Sequence, residues 1–325
     1  MISLKQAQQI ISDEINSIDF NFEPKELYEP ISYILSLGGK RVRPALTLLG
    51  CNLFTDNINP SINAGIALEI LHNFTLLHDD IMDLANLRRG QQTVHKKWNN
   101  NVAILSGDAM SIKAFEYIAK CEQQHLKPVF DVFAKTALQI CEGQQFDMNF
   151  ENQKSVSENE YMQMIELKTS VLLAACLKIG AICGNSSEHD ANLLYEFGLN
   201  LGLAFQLQDD LLDVFGDECT LGKEIGKDIV SNKKTYLLIK TLELANNGQN
   251  LEKLNHWISI KNFDPQEKIK EVKSIYQELG IKEITIQTIE KYFIKALNGL
   301  KNVSVNEERK IELASFLNEL RNRKY

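Results

Sequence analysis

The chain has 325 residues, 44% of them hydrophobic, which is enough apolar mass for a large core and, by length, one domain or two. Its formal net charge of −8 excludes the global basic footprint of a nucleic-acid binder. No uninterrupted apolar run reaches membrane-span length: Val171 to Ile182 comes nearest, and it is too short and contains Lys178.

The first residues, Met1-Ile2-Ser3-Leu4-Lys5, show no charged leader ahead of an apolar run, so no signal peptide is expected. The six cysteines form no C-x-x-C pair, and Cys176 and Cys183 fall in apolar helical sequence where they read as core thiols. The expectation is a reduced, cytoplasmic protein without a thiolate zinc site.

Helical periodicity dominates, with only 6 prolines and little β-branched alternation. The pattern predicts helices over 3–17 and 24–37, the second ended by Gly38-Gly39. The segment Gly38-Gly39-Lys40-Arg41-Val42-Arg43-Pro44 reads as an irregular loop able to approach phosphate oxygens closely. Helices follow over 42–54 and 60–84, and the latter carries Asp79-Asp80-Ile81-Met82-Asp83. Arg88-Arg89-Gly90 comes just past that helix end, and helices are predicted over 91–97, 101–122, 128–150 and 157–182. The helix over 187–214 ends in Asp209-Asp210-Leu211-Leu212-Asp213, and a second glycine-lysine loop runs from Phe215 to Asp228. The remaining helices are expected over 232–246, 249–259, 264–279, 281–299 and 305–322. No Pro-, Gly- or Ser-rich linker divides the chain and no fixed-period repeat occurs, so a single all-α domain over 1–325 is expected.

The two Asp-Asp-x-x-Asp sets hold the chemistry. Residues four apart share a helix face, so Asp79 pairs with Asp83 and Asp209 with Asp213. A lone set of this kind is often a solvated helix face. Here each is embedded in Leu, Ile, Phe and Val, with no Lys or Arg inside it to compensate. An all-oxygen donor set drawn from Asp79, Asp80, Asp83, Asp209, Asp210 and Asp213 suits Mg²⁺, which leaves positions for water and substrate phosphates. Basic clusters lie close in sequence: Lys40/Arg41/Arg43, Arg88/Arg89 and Lys223/Lys227/Lys233/Lys234. Arg matches phosphate oxygens through two donors and Lys supplies a point charge. Together they imply a diphosphate substrate and point to two of them. No G-x-S-x-G, Walker-type or G-x-G-x-x-G motif supplies another chemistry.

In this order the residues resemble the trans-isoprenyl diphosphate synthases, or polyprenyl synthetases. The resemblance rests on Gly38-Gly39-Lys40-Arg41-x-Arg43-Pro44, Asp79-Asp80-x-x-Asp83 with Arg88-Arg89-Gly90, Gly143-Gln144 and Lys168-Thr169. It continues through Phe205-Gln206-x-Gln208-Asp209-Asp210-x-x-Asp213, Gly226-x-Asp228 and Lys233-x-Thr235. Gln92 departs from the family, which often has Pro there, and Lys227 is an extra charge without an assigned role. The resemblance implies a helical bundle around a deep central cavity, usually a homodimer. It implies three Mg²⁺ held by Asp79, Asp83 and Asp209, and an allylic diphosphate (dimethylallyl, geranyl or farnesyl) bound also by Arg88, Lys168 and Lys233, with Lys223 of the glycine-lysine loop beside them. Isopentenyl diphosphate would sit with Lys40, Arg43, His72 and Arg89, and Thr169 and Gln206 would turn oxygen dipoles to the cationic centre. Residues ahead of Asp79 would act as a floor for the growing chain. Phe74 lies five positions upstream, ~7.5 Å along a helix axis, and Thr75 lies four. An aromatic followed by a small residue looks most like a geranylgeranyl (C20) producer, with farnesyl (C15) as the alternative.

Other readings use less of the sequence. Glu69-x-x-His72 and Glu122-x-x-His125 resemble half of a di-iron carboxylate set but leave the aspartate motifs unexplained. A terpene cyclase would not need Lys40, Arg43 and His72. A non-catalytic partner subunit tends to lose an aspartate motif, and both are present.

Overall fold

A computed structural model describes residues 1–217, 225–245 and 248–323. The fold is all-α. In chain order the helices are α1 (Leu4–Asn16), α2 (Lys25–Ser36), α3 (Val42–Asn52), α4 (Asn59–Met82), α5 (Val94–Lys97), α6 (Asn100–Ile118), α7 (Gln123–Asn152) and α8 (Glu158–Ile165). A π-helical turn (Glu166–Ser170) joins α8 to α9 (Val171–Cys183), and α10 (Glu188–Phe215) follows. Then come α11 (Lys227–Val230), α12 (Tyr236–Leu244), α13 (Gln249–Ser259), α14 (Pro265–Glu278), α15 (Ile281–Lys301) and α16 (Glu307–Arg321).

Contacts divide the chain into two compact units. Unit 1 comprises Met1–Ala137, Leu172–Tyr195 and Lys301–Leu313; unit 2 comprises Leu138–Val171, Glu196–Leu300 and Ala314–Tyr325.

Unit 1 is organised on α4, which packs against α3 and α6. Pro60 opens α4 within its first two positions, where its missing N–H costs nothing. Every residue from Ala64 to Leu71 is buried, so α4 is a core helix rather than an amphipathic one. Small residues let α3 and α9 approach closely. A Cβ at Gly180 would fall 2.1 Å from the Thr47 carbonyl oxygen, and one at Gly50 would fall 2.7 Å from that of Leu177. Cys176 and Cys183 are fully buried in this layer, as the sequence led us to expect, and burial pushes the Cys176 thiol up to about 12.

Unit 2 gathers α8, the π turn, the later part of α10 and α11 to α15. Lys240 on α12 pairs with Glu158 on α8, and the rings of Tyr161 and Tyr236 lie 6.4 Å apart. Buried Lys268 on α14 donates to the Val230 carbonyl at 3.2 Å and to Asn232 Oδ1 at 2.7 Å. It thereby satisfies an orphan carbonyl at the end of α11 and fixes the backbone just before Lys233.

The element boundaries expected from sequence hold to within a few residues for most helices. Residues 91–97 do not form one helix. Leu87–Arg88 and Gln91–Gln92 form an antiparallel hairpin, with Leu87 opposite Gln92, and only Val94–Lys97 is helical. The central pair Arg89 (φ 53) and Gly90 (φ 75) are both left-handed, as a tight two-residue turn of this hand requires. The predicted helix over 157–182 contains the π turn. The one over 232–246 starts at Tyr236, where the Thr235 hydroxyl caps the Leu238 N–H. Finally, α7 begins at Gln123, five residues ahead of Pro128, which is tolerated on the exposed side of its early turns.

Candidate active site

Unit 1 assembles the first basic loop and the first aspartate motif. Gly38 (φ 75), Gly39 (φ 131) and Arg41 (φ 44) turn the chain sharply into α3. The bare backbone at Gly39 receives the Arg89 guanidinium: a Cβ there would lie 2.7 Å from Arg89 Nη2. Arg43 Nη1 lies 3.1 Å from His72 Nε2. Desolvation and the charges of Arg43, Arg89, Arg88 and Arg41 hold the His72 pKa well below its ordinary value, so the neutral ring accepts from Arg43. Arg43, His72 and Arg89 are thus brought together, with Lys40 exposed on the adjoining turn.

Arg41, part of the same basic cluster in sequence, has a different task. Its buried guanidinium donates to Glu69 and to the Leu35 carbonyl, and Asn73 donates to the same Glu69 oxygen at 2.9 Å. A buried ion pair needs such additional hydrogen bonds to offset its desolvation. Glu69, half of the E-x-x-H alternative, is committed to this network.

Asp79 and Asp83 lie four apart at the end of α4, Asp79 half-buried and Asp83 exposed. Asp80 points elsewhere and is buried. It accepts a two-pronged bond from Arg88, with Nε to Oδ2 at 2.7 Å and Nη2 to Oδ1 at 2.8 Å. That fork ties the hairpin to α4.

Unit 2 assembles the second motif. Lys168 and Thr169 sit on the π turn, a local widening that often marks functional segments. Glycines make room for it: a Cβ at Gly143 would lie 2.3 Å from the Lys168 nitrogen, and one at Gly202 would lie 2.6 Å from Ser170 Cα. Lys168 Nζ contacts Asp147 Oδ2 at 2.6 Å. The Thr169 hydroxyl donates to Gln206 Oε1 at 3.2 Å, and Gln206 Nε2 donates to Asp210 Oδ1 at 3.1 Å. The buried Tyr161 hydroxyl donates to the other Asp210 oxygen. Burial and nearby Asp228 raise the Asp210 carboxyl to about 7, although Lys233 and the hydrogen bonds oppose the shift. Asp213 accepts the Asp228 N–H at 3.0 Å. Asp209 is half-buried and pairs with Arg323 Nη1 at 3.0 Å. Lys233 is exposed, and its N–H donates to the Asp228 carbonyl at 2.9 Å. Lys223 lies outside the described residues.

The donor set fits a hard divalent cation. All donors are carboxylate oxygens, and Asp79, Asp83 and Asp209 are those with solvent access, while Asp80, Asp210 and Asp213 are buried and engaged by protein donors. Among the described residues no three His, Cys, Asp or Glu groups converge as a ready-made cage. Mg²⁺ takes one or two carboxylates and completes its shell with water and phosphate, so such a cage is not required.

Phe74 and Thr75 are half-buried on α4. The Phe74 ring lies edge-to-face with His78, centroids 4.8 Å apart. The Thr75 hydroxyl donates to the His72 carbonyl at 2.8 Å, which satisfies it within its own helix.

The polyprenyl synthetase family model matches residues 24–279. The chain belongs to that family. It is an all-α prenyltransferase. It is 37% identical over 301 residues to a geranylgeranyl diphosphate synthase of Sulfolobus acidocaldarius, covering 90% of this chain and 89% of the relative. It is 45% identical over 222 residues to one of Methanosarcina mazei, covering 68% of each. A crystal structure of a geranylgeranyl pyrophosphate synthase superposes with a TM-score of 0.95 at 44% identity, covering 100% of both chains. A polyprenyl synthase from Caulobacter crescentus CB15, complexed with calcium and isoprenyl diphosphate, superposes with a TM-score of 0.81 at 27% identity, covering 99% of this chain and 95% of that one. Among the described residues no helix is long and apolar enough to cross a membrane.

Three polar residues of this prenyltransferase's site region escaped the sequence reading, Asp147, Tyr161 and Arg323, and Glu69 was read there only as half of an E-x-x-H pair. Glu69 was visible as an acidic residue inside an apolar run, which predicts a buried partner. The others carry no local signal, because their partners lie 21, 49 and 114 residues away.

Proposed function

We propose that this prenyltransferase condenses isopentenyl diphosphate with allylic diphosphates head to tail and stops at geranylgeranyl diphosphate. The observation that carries the reading is in unit 1: a neutral His72 lies in the field of Arg41, Arg43, Arg88 and Arg89, on the helix that ends in the Asp79/Asp83 pair. A basic pocket beside paired carboxylates in an acidic chain suits a diphosphate and the metal that accompanies it.

In this reading Lys40, Arg43, His72 and Arg89 hold the isopentenyl diphosphate. Arg88, Lys168, Lys233 and Lys223 hold the allylic diphosphate. Asp79, Asp83 and Asp209 supply the ligands of three Mg²⁺, with Asp80, Asp210 and Asp213 orienting those motifs through their protein partners. When bound, the metal supplies charge that stabilises the departing diphosphate. The allylic C1–O bond breaks with its electron pair on the diphosphate. The isopentenyl double bond attacks C1, and a proton leaves to the released diphosphate, regenerating an allylic product. Thr169 and Gln206 orient oxygen dipoles toward the transient cation, a preorganised electrostatic role. Both units serve this one reaction, as one catalytic domain over 1–325.

Phe74 forms the floor of the chain cavity. The observations behind this are its half-burial and the ring packed edge-on against His78. The protein acts as a cytoplasmic homodimer. The α6 face bearing Ile104, Leu105 and Ile112, exposed by 43%, 60% and 64%, suits a second copy. The test is incubation with isopentenyl diphosphate and, separately, dimethylallyl, geranyl and farnesyl diphosphate, with products sized by mass spectrometry. All three primers are expected to end at C20; termination at C15, or products beyond C20, overturns the length assignment, and no condensation overturns the reaction.

A further inference from the structure

His78 immediately precedes the first aspartate motif, and none of the roles above uses it. Its ring lies between two features of unit 1. On one side is Phe74, edge-to-face at 4.8 Å between centroids. On the other is α6, where His78 Nε2 lies 3.2 Å from the Ile104 carbonyl oxygen. That carbonyl belongs to a helix and has a spare lone pair, so the imidazole enters as the Nε2–H donor. The ring reaches it only because residue 107 is glycine. A Cβ at Gly107 would lie 2.2 Å from His78 Nε2 and 2.6 Å from Cδ2, far inside contact distance. Gly107 has no unusual backbone angle to explain it, and the space it leaves is filled by this ring.

We propose that His78, seated in the notch at Gly107, is a positioning residue that braces Phe74 and thereby sets where chain growth stops. The inference rests on Phe74 being the floor. An aromatic ring held on one edge has fewer rotamers open to it than one facing an empty gap. Phe74 and His78 are four apart on α4, so the brace is built into one helix face, and α6 supplies the seat. A growing isoprenoid pressing on Phe74 pushes against that assembly. Without the brace the ring swings aside, and a further five-carbon addition becomes possible.

The geometry also supplies a lever away from the aspartates. Gly107→Ala adds one methyl on α6 whose nearest obstacle is the far end of the His78 side chain. It should therefore displace the imidazole rather than the helix. In His78→Ala the three atoms nearest that methyl are gone, so Gly107→Ala should have little further effect there.

The test compares the C25-to-C20 product ratio, from farnesyl diphosphate and excess isopentenyl diphosphate, in the wild-type chain, Phe74→Ala, His78→Ala, His78→Phe, Gly107→Ala and the His78→Ala/Gly107→Ala pair. The ratio is independent of how much total turnover survives. His78→Ala and Gly107→Ala are expected to raise it about two- to tenfold, the range of an aromatic edge contact. His78→Phe, which keeps a ring against Phe74, should stay closer to wild type than His78→Ala. The pair should match His78→Ala alone. A raised ratio in Phe74→Ala with wild-type ratios in both His78→Ala and Gly107→Ala overturns the brace and leaves the floor standing. An unchanged ratio in Phe74→Ala overturns the floor and the brace with it.

Discussion

In unit 1 a histidine is kept neutral among arginines; in unit 2 an aspartate is pushed toward its protonated form among carboxylates. The two halves gather different charges at these points, although both are net negative. Unit 1 collects Arg43, Arg88 and Arg89 around His72. Unit 2 places Asp209, Asp210 and Asp213 on one helix end, with Asp228 close by. Like charges gathered in this way cost folding energy that a ligand of opposite sign offsets. The difference separates binding groups from supporting ones. In each half a buried charge already has protein partners, Arg41 with Glu69 and Asp210 with Tyr161 and Gln206, while the groups assigned to ligands keep solvent access.

The largest effect is expected when a ligand carboxylate is removed. Asp79→Ala or Asp209→Ala should lower condensation by about a hundredfold or more, the scale of losing a preorganised electrostatic contact in a transition state. The fold should survive. Removing Asp79 relieves like-charge repulsion with Asp83 worth a few tenths of a kcal/mol, so melting without Mg²⁺ should hold or rise. Near-normal turnover at ordinary Mg²⁺ in either variant would remove that residue from the metal site.

A second pair of substitutions separates the substrates. Lys40→Ala or Arg43→Ala should mainly raise KM for isopentenyl diphosphate, by about ten- to a hundredfold for a lost charge-assisted bond of roughly 1.5–3 kcal/mol. Lys233→Ala should change the allylic parameters instead. If Lys40→Ala moved only the allylic constants, the two pockets would be exchanged.

The ease of reading the site from sequence differs between the halves for a physical reason. In unit 1 the ligand groups sit on short, local arrangements: the Gly38-Gly39 turn, the α4 terminus and the hairpin. Spacing alone brings Asp79 near Asp83, and Arg88 onto Asp80 eight residues back. In unit 2 the aspartates were equally visible, but their partners were not. Asp147 meets Lys168 through the π turn, and a continuous helix over 157–182 hides that widening, because a π turn has no residue signature of its own. Likewise the hairpin at Arg89-Gly90 was missed because Arg is an uncommon residue at φ 53. Phe74 was legible as an aromatic ahead of the motif, whereas its packing on His78 depends on Gly107, one glycine in a different helix.

The pH dependence of the metal-free chain tests these two perturbed groups directly. The folded His72 pKa is lowered, so below about 6.5 the unfolded chain binds a proton that the folded chain refuses, and stability falls as pH drops. The folded Asp210 pKa is raised, so between about 3.9 and its folded value of about 7 the folded chain holds a proton that the unfolded chain releases. From that group stability falls as pH rises through the window. His72→Asn should remove the first slope and Asp210→Asn the second, each leaving the other in place, in denaturant melts from pH 4.5 to 8. Inorganic diphosphate should stabilise the chain more at pH 5.5 than at pH 8 if His72 takes up a proton beside it. Equal stabilisation at both pH values would show that the anion binds elsewhere.

The smallest expected effect concerns the charge already standing at the second motif. Arg323 donates to Asp209 at 3.0 Å, with its guanidinium carbon 5.3 Å from the Phe205 ring centroid. It follows the end of α16 and so comes from the last turn of described chain. In unit 2 it is a monovalent cation at a carboxylate assigned to Mg²⁺, and the expectation is that it competes with the metal for that carboxylate. Both side chains are about one-third exposed, so the pair is worth roughly 0.2–1 kcal/mol. Arg323→Ala should therefore lower the Mg²⁺ concentration for half-maximal activity by about 1.5- to fivefold, while melting without metal changes little. Arg323→Lys, which keeps a charge but loses the planar fork, should fall between the two. Titrating Mg²⁺ against intrinsic fluorescence without substrate gives the same comparison independently of turnover. An unchanged or weakened Mg²⁺ response in Arg323→Ala would mean that the arginine supports the bound state instead of competing with it, and unit 2 would then share the ligand-facing positive charge now assigned mainly to unit 1.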